Sequence, residues 1–182
     1  MSKLSDIALC GALEGTGEEL DNMTLYCVRR RGHLLLALPA DREAAWATLK
    51  LYQPQACLGK MVAIVVGLLV RMGLLRILPR RSLTVRAGGP LAELVNDHSK
   101  VGFLLGNPEA NTRRALVVYE QGGRYLVNKV GVDEKSRRSV MAELEVIKML
   151  PDRLMGIPVL YGNHLEDTWA SYTTGFVEGS SP

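Results

Sequence analysis

The chain has 182 residues, 47% of them hydrophobic, enough to bury one core or two small ones and too apolar for disorder over most of its length. The formal charge of +3 is mildly basic, but aromatics make up only 5%, and clusters such as Arg29-Arg30-Arg31, Arg80-Arg81, Arg113-Arg114 and Arg137-Arg138 are scattered. They read as solvated faces, and nucleic acid is not an expected partner. Cys10, Cys27 and Cys57 are odd in number, widely spaced and without a CxxC pair, which argues against a disulfide framework and a structural zinc site and sets the reducing cytoplasm as the expected location.

Residues 1–23 are polar, carry Gly11, Gly15 and Gly17 without a clear period, and have no basic-then-apolar leader pattern. They are expected to form a weakly ordered lead-in. Residues 24–28 and 33–38 are β-capable runs flanking Arg29-Arg30-Arg31-Gly32, so a hairpin is expected there. Asp41 can cap a helix carrying Ala44, Ala45, Trp46 and Leu49, which ends near Pro54 because the residue before proline avoids the helical region.

Residues 59–78 form the most hydrophobic segment. As a helix from Met61 it would be about 27 Å long, close to a bilayer's hydrocarbon thickness, but Arg71 and Arg76 interrupt it. Apolar residues surround this helix instead of forming one stripe, so the expectation is a helix covered by protein on most sides. In-plane contact with a membrane or a lipid substrate stays open because Lys60, Arg71, Arg76, Arg80 and Arg81 flank it. Pro79 breaks the helix, 82–86 is a short strand, and Gly88-Gly89-Pro90 is the best internal boundary, with proline opening a short helix over 91–95. The expected organisation is an extension over 1–89 and a second unit over 90–182.

Residues 101–105 read as a strand, followed by a polar connection through Asn111, Thr112, Arg113 and Arg114. Residues 115–131 are two β-rich runs about Gly122-Gly123, the glycine pair that a tight hairpin turn at positive φ requires. With a period of two, Tyr125, Val127 and Lys129 share one side of the second strand and Leu126, Asn128 and Val130 the other. The lysine is assigned to the inward side and therefore needs a partner. Asp133 or Ser136 can cap a helix running to Leu150. On that helix Val140, Leu144, Ile147 and Leu150 share a face, Glu143 falls inside the apolar arc and Glu145 lies off it. A carboxylate on a packing face needs a cation, because leaving it unpaired costs several kcal/mol; Lys129 is the candidate. Two further strands follow, over 157–160 and 168–177, about a turn at 162–167.

Strand, loop, strand, turn, strand with lysine, helix with inward glutamate, strand, strand and glycine linker: over roughly 93–182 this order resembles the N-terminal lobe of the protein-kinase-like fold, in its aminoglycoside and choline phosphotransferase branch. The fold the resemblance implies is α+β: a five-stranded antiparallel sheet with one packed helix, preceded by a mixed hairpin and helical extension. Leu126-Val127-Asn128-Lys129 stands where kinases have Val-Ala-Ile-Lys. By that likeness Lys129 holds the α/β-phosphates of ATP, Glu143 orients it and Val127 touches adenine. Gly175, Phe176 and Val177 fall at the hinge that bonds the adenine edge. The loop over the phosphates, 106–114, has one glycine where protein kinases have three, so Asn111, Thr112 and Arg113 stand in as donors.

In this family the catalytic Asp and the Mg²⁺-holding groups lie in a second lobe, so Mg²⁺ is implied only together with such a lobe. The partners implied are a nucleotide and either that C-terminal lobe or another protein, in a chain inactive by itself. The alternative, from a different class, is a non-catalytic α+β interaction or membrane-surface module in which Lys129 and Glu143 form a structural pair.

Overall fold

Local chemistry sets most element boundaries. The computed structural model describes residues 13–30, 32–54, 56–105, 114–150 and 159–176. Strand β1 (Glu19–Arg30) pairs with β2 (His33–Leu38), with Gly32 at φ +85° in the turn. The expected lead-in is therefore strand from residue 19 onward. Its polar alternation carries no apolar signal, but it pairs along its length with β3 (Arg80–Arg86), from Glu19↔Arg86 to Tyr26↔Arg80.

Helix α1 (Arg42–Lys50) starts where the Ala44 amide donates to the Asp41 carboxylate at 2.8 Å. Helix α2 (Cys57–Met72) stops at Gly73, which takes φ +70° and frees the chain to turn. The expected helix to residue 78 is thus cut short, and 75–77 form a single 3₁₀ turn instead. Helix α3 (Pro90–Leu94) has proline in its first turn. Then come β4 (Gly102–Leu105), β5 (Arg114–Gln121), β6 (Arg124–Gly131), α4 (Glu134–Met149), β7 (Leu160–Leu165) and β8 (Ala170–Gly175). Gly122 and Gly123 both have positive φ, as the β5–β6 hairpin demands. Asp133 and Ser136 cap α4 reciprocally. Gly162 lies inside β7, not in the turn expected there; a register shift beside it lets the strand continue to Leu165.

The architecture is α+β, but the sheet is larger than five strands. All eight described strands form one antiparallel sheet in the order β3-β1-β2-β4-β5-β6-β8-β7. The join between the two halves of the chain is the pairing of β2 with β4 at Leu36↔Leu104 and Ala37↔Phe103.

Register assigns each side chain a face. Ala37, Phe103, Val117, Asn128 and Thr173 are cross-strand neighbours on one face, and Leu36, Leu104, Leu116, Lys129 and Tyr172 on the other. On the first face, residues from six strands bury one another in a single cluster with Leu13, Leu91, Val95 and Trp169. The short α3 packs on that face through Leu91. The second face carries the longer helices. There α1 and α2 cover Tyr26, Val28, Leu36 and Leu38, while Val140 and Leu144 of α4 pack on Ala170 and Tyr172. Close approach of α1 depends on Gly102, whose added Cβ would come within 1.9 Å of the Thr48 hydroxyl.

Candidate functional site

Strand β6 runs between the two helix groups. Its Leu126, Asn128 and Val130 are buried in or beside the large cluster, whereas Tyr125, Val127 and Lys129 keep partial exposure on the helix face. The alternation is as expected, and the lysine faces α4, away from the large cluster. Lys129 lies on the helix-bearing face with its side chain 22% exposed, and the tighter interior belongs to its neighbours.

The Lys129 ammonium donates to Glu143 Oε2 on α4. Two further donors converge on the same carboxylate: Tyr172 OH reaches Oε2 at 3.0 Å and Arg114 Nη1 reaches Oε1 at 3.1 Å. Arg114 also donates to the Ser139 hydroxyl one turn earlier on α4, at 3.3 Å. Glu145, by contrast, is solvent-facing and, among the described residues, pairs with Lys148 at 3.6 Å.

Neither Arg114 nor Tyr172 is visible as a Glu143 partner in the local sequence pattern. Arg114 reads as part of a solvated basic cluster until the hairpin register sets it opposite Gly131. Tyr172 needs the β6–β8 pairing, which places it directly across from Lys129.

Partial burial pushes the Glu143 carboxyl upward, but the hydrogen bonds from Lys129 and Tyr172 and the charges of Lys129 and Arg114 outweigh it, and the net pKa lies below the ordinary 4.5. Burial, followed by the bond to Glu143 and its negative charge, drives the Tyr172 phenol upward, so it stays protonated and donating. A carboxyl whose folded pKa is depressed gives stability that is complete above the unfolded value and is lost as pH falls through the folded one. Glu143→Gln is therefore expected to flatten the acid limb of the stability curve below pH 4.5 relative to wild type, as read by thermal melts at stepped pH. An unchanged limb would mean that the carboxylate is not held ionised by these partners.

At the far end of the same face lies a cavity of about 540 Å³ between α1, the end of α2 and the start of β6. Trp46, Tyr125 and Phe176 give it aromatic walls, and Arg42, Lys50 and Arg71 line it with Glu43. Arg71 lies over the Trp46 ring at 5.8 Å. The Phe176 amide donates to the Tyr125 carbonyl at 3.2 Å, tying the end of β8 to the start of β6. Tyr125 and Lys129 are four residues apart on one strand face, so roughly 13 Å separates the cavity from the ion pair.

Of the site residues expected from sequence, Lys129 and Glu143 are brought together, and Val127 lies opposite Thr174 on the same face. Gly175 ends β8 and Phe176 lines the cavity. Asn111, Thr112, Arg113 and Val177 lie outside the described residues. Among the described residues no three His, Cys, Asp or Glu side chains form a metal-binding group. No protein-family model matches the sequence, and no curated protein or solved structure is significantly similar to it.

Proposed function

We propose that this chain is the ATP-binding lobe of a small-molecule or saccharide phosphotransferase of the protein-kinase-like fold. The observation that carries the proposal is the strand lysine and helix glutamate joined across a specific topology. Strands β4-β5-β6-β8-β7 lie side by side in that order, α4 connects β6 to β7, and Lys129 on β6 meets Glu143 on α4. Glu143, held by three donors, fixes the lysine's position, and the remaining ammonium hydrogens can face phosphate oxygens. Val127 lies between Lys129 and the aromatic cavity. The distance along β6 suits a nucleotide whose base enters between Tyr125, Trp46 and Phe176 while its phosphates reach Lys129. In this proposal the carboxylates that hold Mg²⁺ and accept the acceptor's proton belong to a second lobe.

The competing role is structural. Three donors on one partly buried carboxylate also make a stable ion-pair cluster without any ligand. ATP separates the two. At about 100 times Kd, a bound nucleotide stabilises by about 2.7 kcal/mol, which for a chain of this size raises Tm by roughly 5–10 °C. The expected result is such a shift in wild type that Lys129→Ala abolishes. No shift in either protein would sink the nucleotide proposal and leave the structural one.

A further inference from the structure

The outer side of α2 has no use in the nucleotide proposal. Its inner side is occupied: Gly59, Val66, Gly67 and Val70 are buried, and Gly67 lets the helix approach the Trp46 ring so closely that an added Cβ would lie 3.3 Å from it. The opposite side is also apolar. Leu58, Met61, Ile64, Val65, Leu68 and Met72 are 50–66% exposed, and at 3.6 residues per turn they cover one continuous arc of roughly 120°. Among the described residues the helix is covered along one side, short of the cover on most sides expected from its all-round apolarity. The apolar strip continues past the helix end to Ile77, 69% exposed.

Along the chain, the charged residues of this stretch have one sign. No Asp or Glu occurs between Glu43 and Glu93, whereas seven Lys and Arg do. Lys60 and Arg71 fall together on one edge of the exposed arc, both exposed, and Arg76 and Arg80 follow beyond its end. A protein partner matching this surface needs a long acidic rim around an apolar groove, whereas an anionic bilayer supplies both properties as a plane. No helix among the described residues is long and apolar enough to cross a membrane, so contact in the plane of the interface is the arrangement that fits.

We propose that the outer face of α2 docks on an anionic phospholipid surface, its Met61, Ile64 and Leu68 side entering the acyl boundary and Lys60, Arg76 and Arg80 meeting the headgroups. Lipid contact there does not depend on nucleotide binding at Lys129.

Co-sedimentation of the full chain with phosphatidylcholine vesicles, with and without about one third phosphatidylglycerol, tests this. Each cation at the surface strengthens binding by about fivefold, so the expected preference for the anionic vesicles is at least tenfold, falling steeply as salt rises toward about 0.5 M. The Ile64→Glu/Leu68→Glu variant should lose binding at least tenfold with an unchanged far-ultraviolet spectrum and melt, because both side chains are already in solvent. Arg76→Gln/Arg80→Gln should lower only the preference for anionic lipid. Absent binding, equal binding to both vesicles, or a concentration-dependent dimer that the Ile64→Glu/Leu68→Glu variant dissolves would each overturn the proposal, the last by assigning the face to a second copy.

Discussion

Phe103→Ala is expected to lower the unfolding free energy by about 3–5 kcal/mol, the range for truncating a fully buried aromatic ring. Phe103 is 1% exposed and stands in β4 between Ala37 on β2 and Val117 on β5. The cost should fall at the high end because the cavity cannot close. Hydrogen-bonded strands on both sides hold the spacing, and the cluster around the ring draws residues from six strands. Strand β4 is also the four-residue bridge between the two halves of the sheet, so loosening it weakens their coupling as well as their packing. Chemical denaturation should show a lower midpoint, and Tm should drop by roughly 10 °C. Leu20→Ala, at a residue 57% exposed in β1, should stay within about 0.5 kcal/mol of wild type. A loss below about 1 kcal/mol for Phe103→Ala would contradict the continuous cluster on that face of the sheet.

Features encoded within a few residues are legible in the amino-acid sequence alone. The paired glycines at the β5–β6 turn, the Asp41 and Asp133 caps and the choice of Glu143 over Glu145 each follow from a local period or a local hydrogen bond. What the sequence hides depends on distant pairing. That β2 lies beside β4 is invisible in either strand, since both are short apolar runs that any edge could accept. For the same reason the joining of the strands of 1–89 to the sheet of the second unit cannot be read from either part alone. In the site, Tyr172 and Arg114 reach Glu143 only once β8 and β5 flank β6. On α2 the periodicity itself misleads. Apolar residues all round the helix signal burial only if something covers the second side, and among the described residues nothing does.

Gly131→Ala is expected to destabilise the fold by about 3 kcal/mol, the upper part of the range for overpacking, and to disable the candidate site at the same time. A Cβ at this position would stand 2.6 Å from the carbonyl carbon and oxygen of Ser136 and 2.8 Å from the Arg137 nitrogen. These are backbone atoms, so no rotamer change relieves the contact. The first turn of α4 cannot yield locally either, because the Ser136 amide donates to the Asp133 carboxylate at 2.7 Å and the Asp133 amide to the Ser136 hydroxyl at 3.1 Å. The helix must therefore move as a unit or β6 must bend. Either movement separates Glu143 and Ser139, both on α4, from Lys129, Arg114 and Tyr172 on three different strands. Gly131→Ala should accordingly reproduce the flattened acid limb of Glu143→Gln although every charged group is retained, and on the nucleotide proposal it should shrink the ATP-dependent rise in Tm. Gly162→Ala is the control: a Cβ there meets nothing within 4 Å, and its stability should change by no more than about 0.5 kcal/mol. Full stability in Gly131→Ala would show that α4 is not seated against β6 at this point, and the alignment of Glu143 with Lys129 would then need another cause.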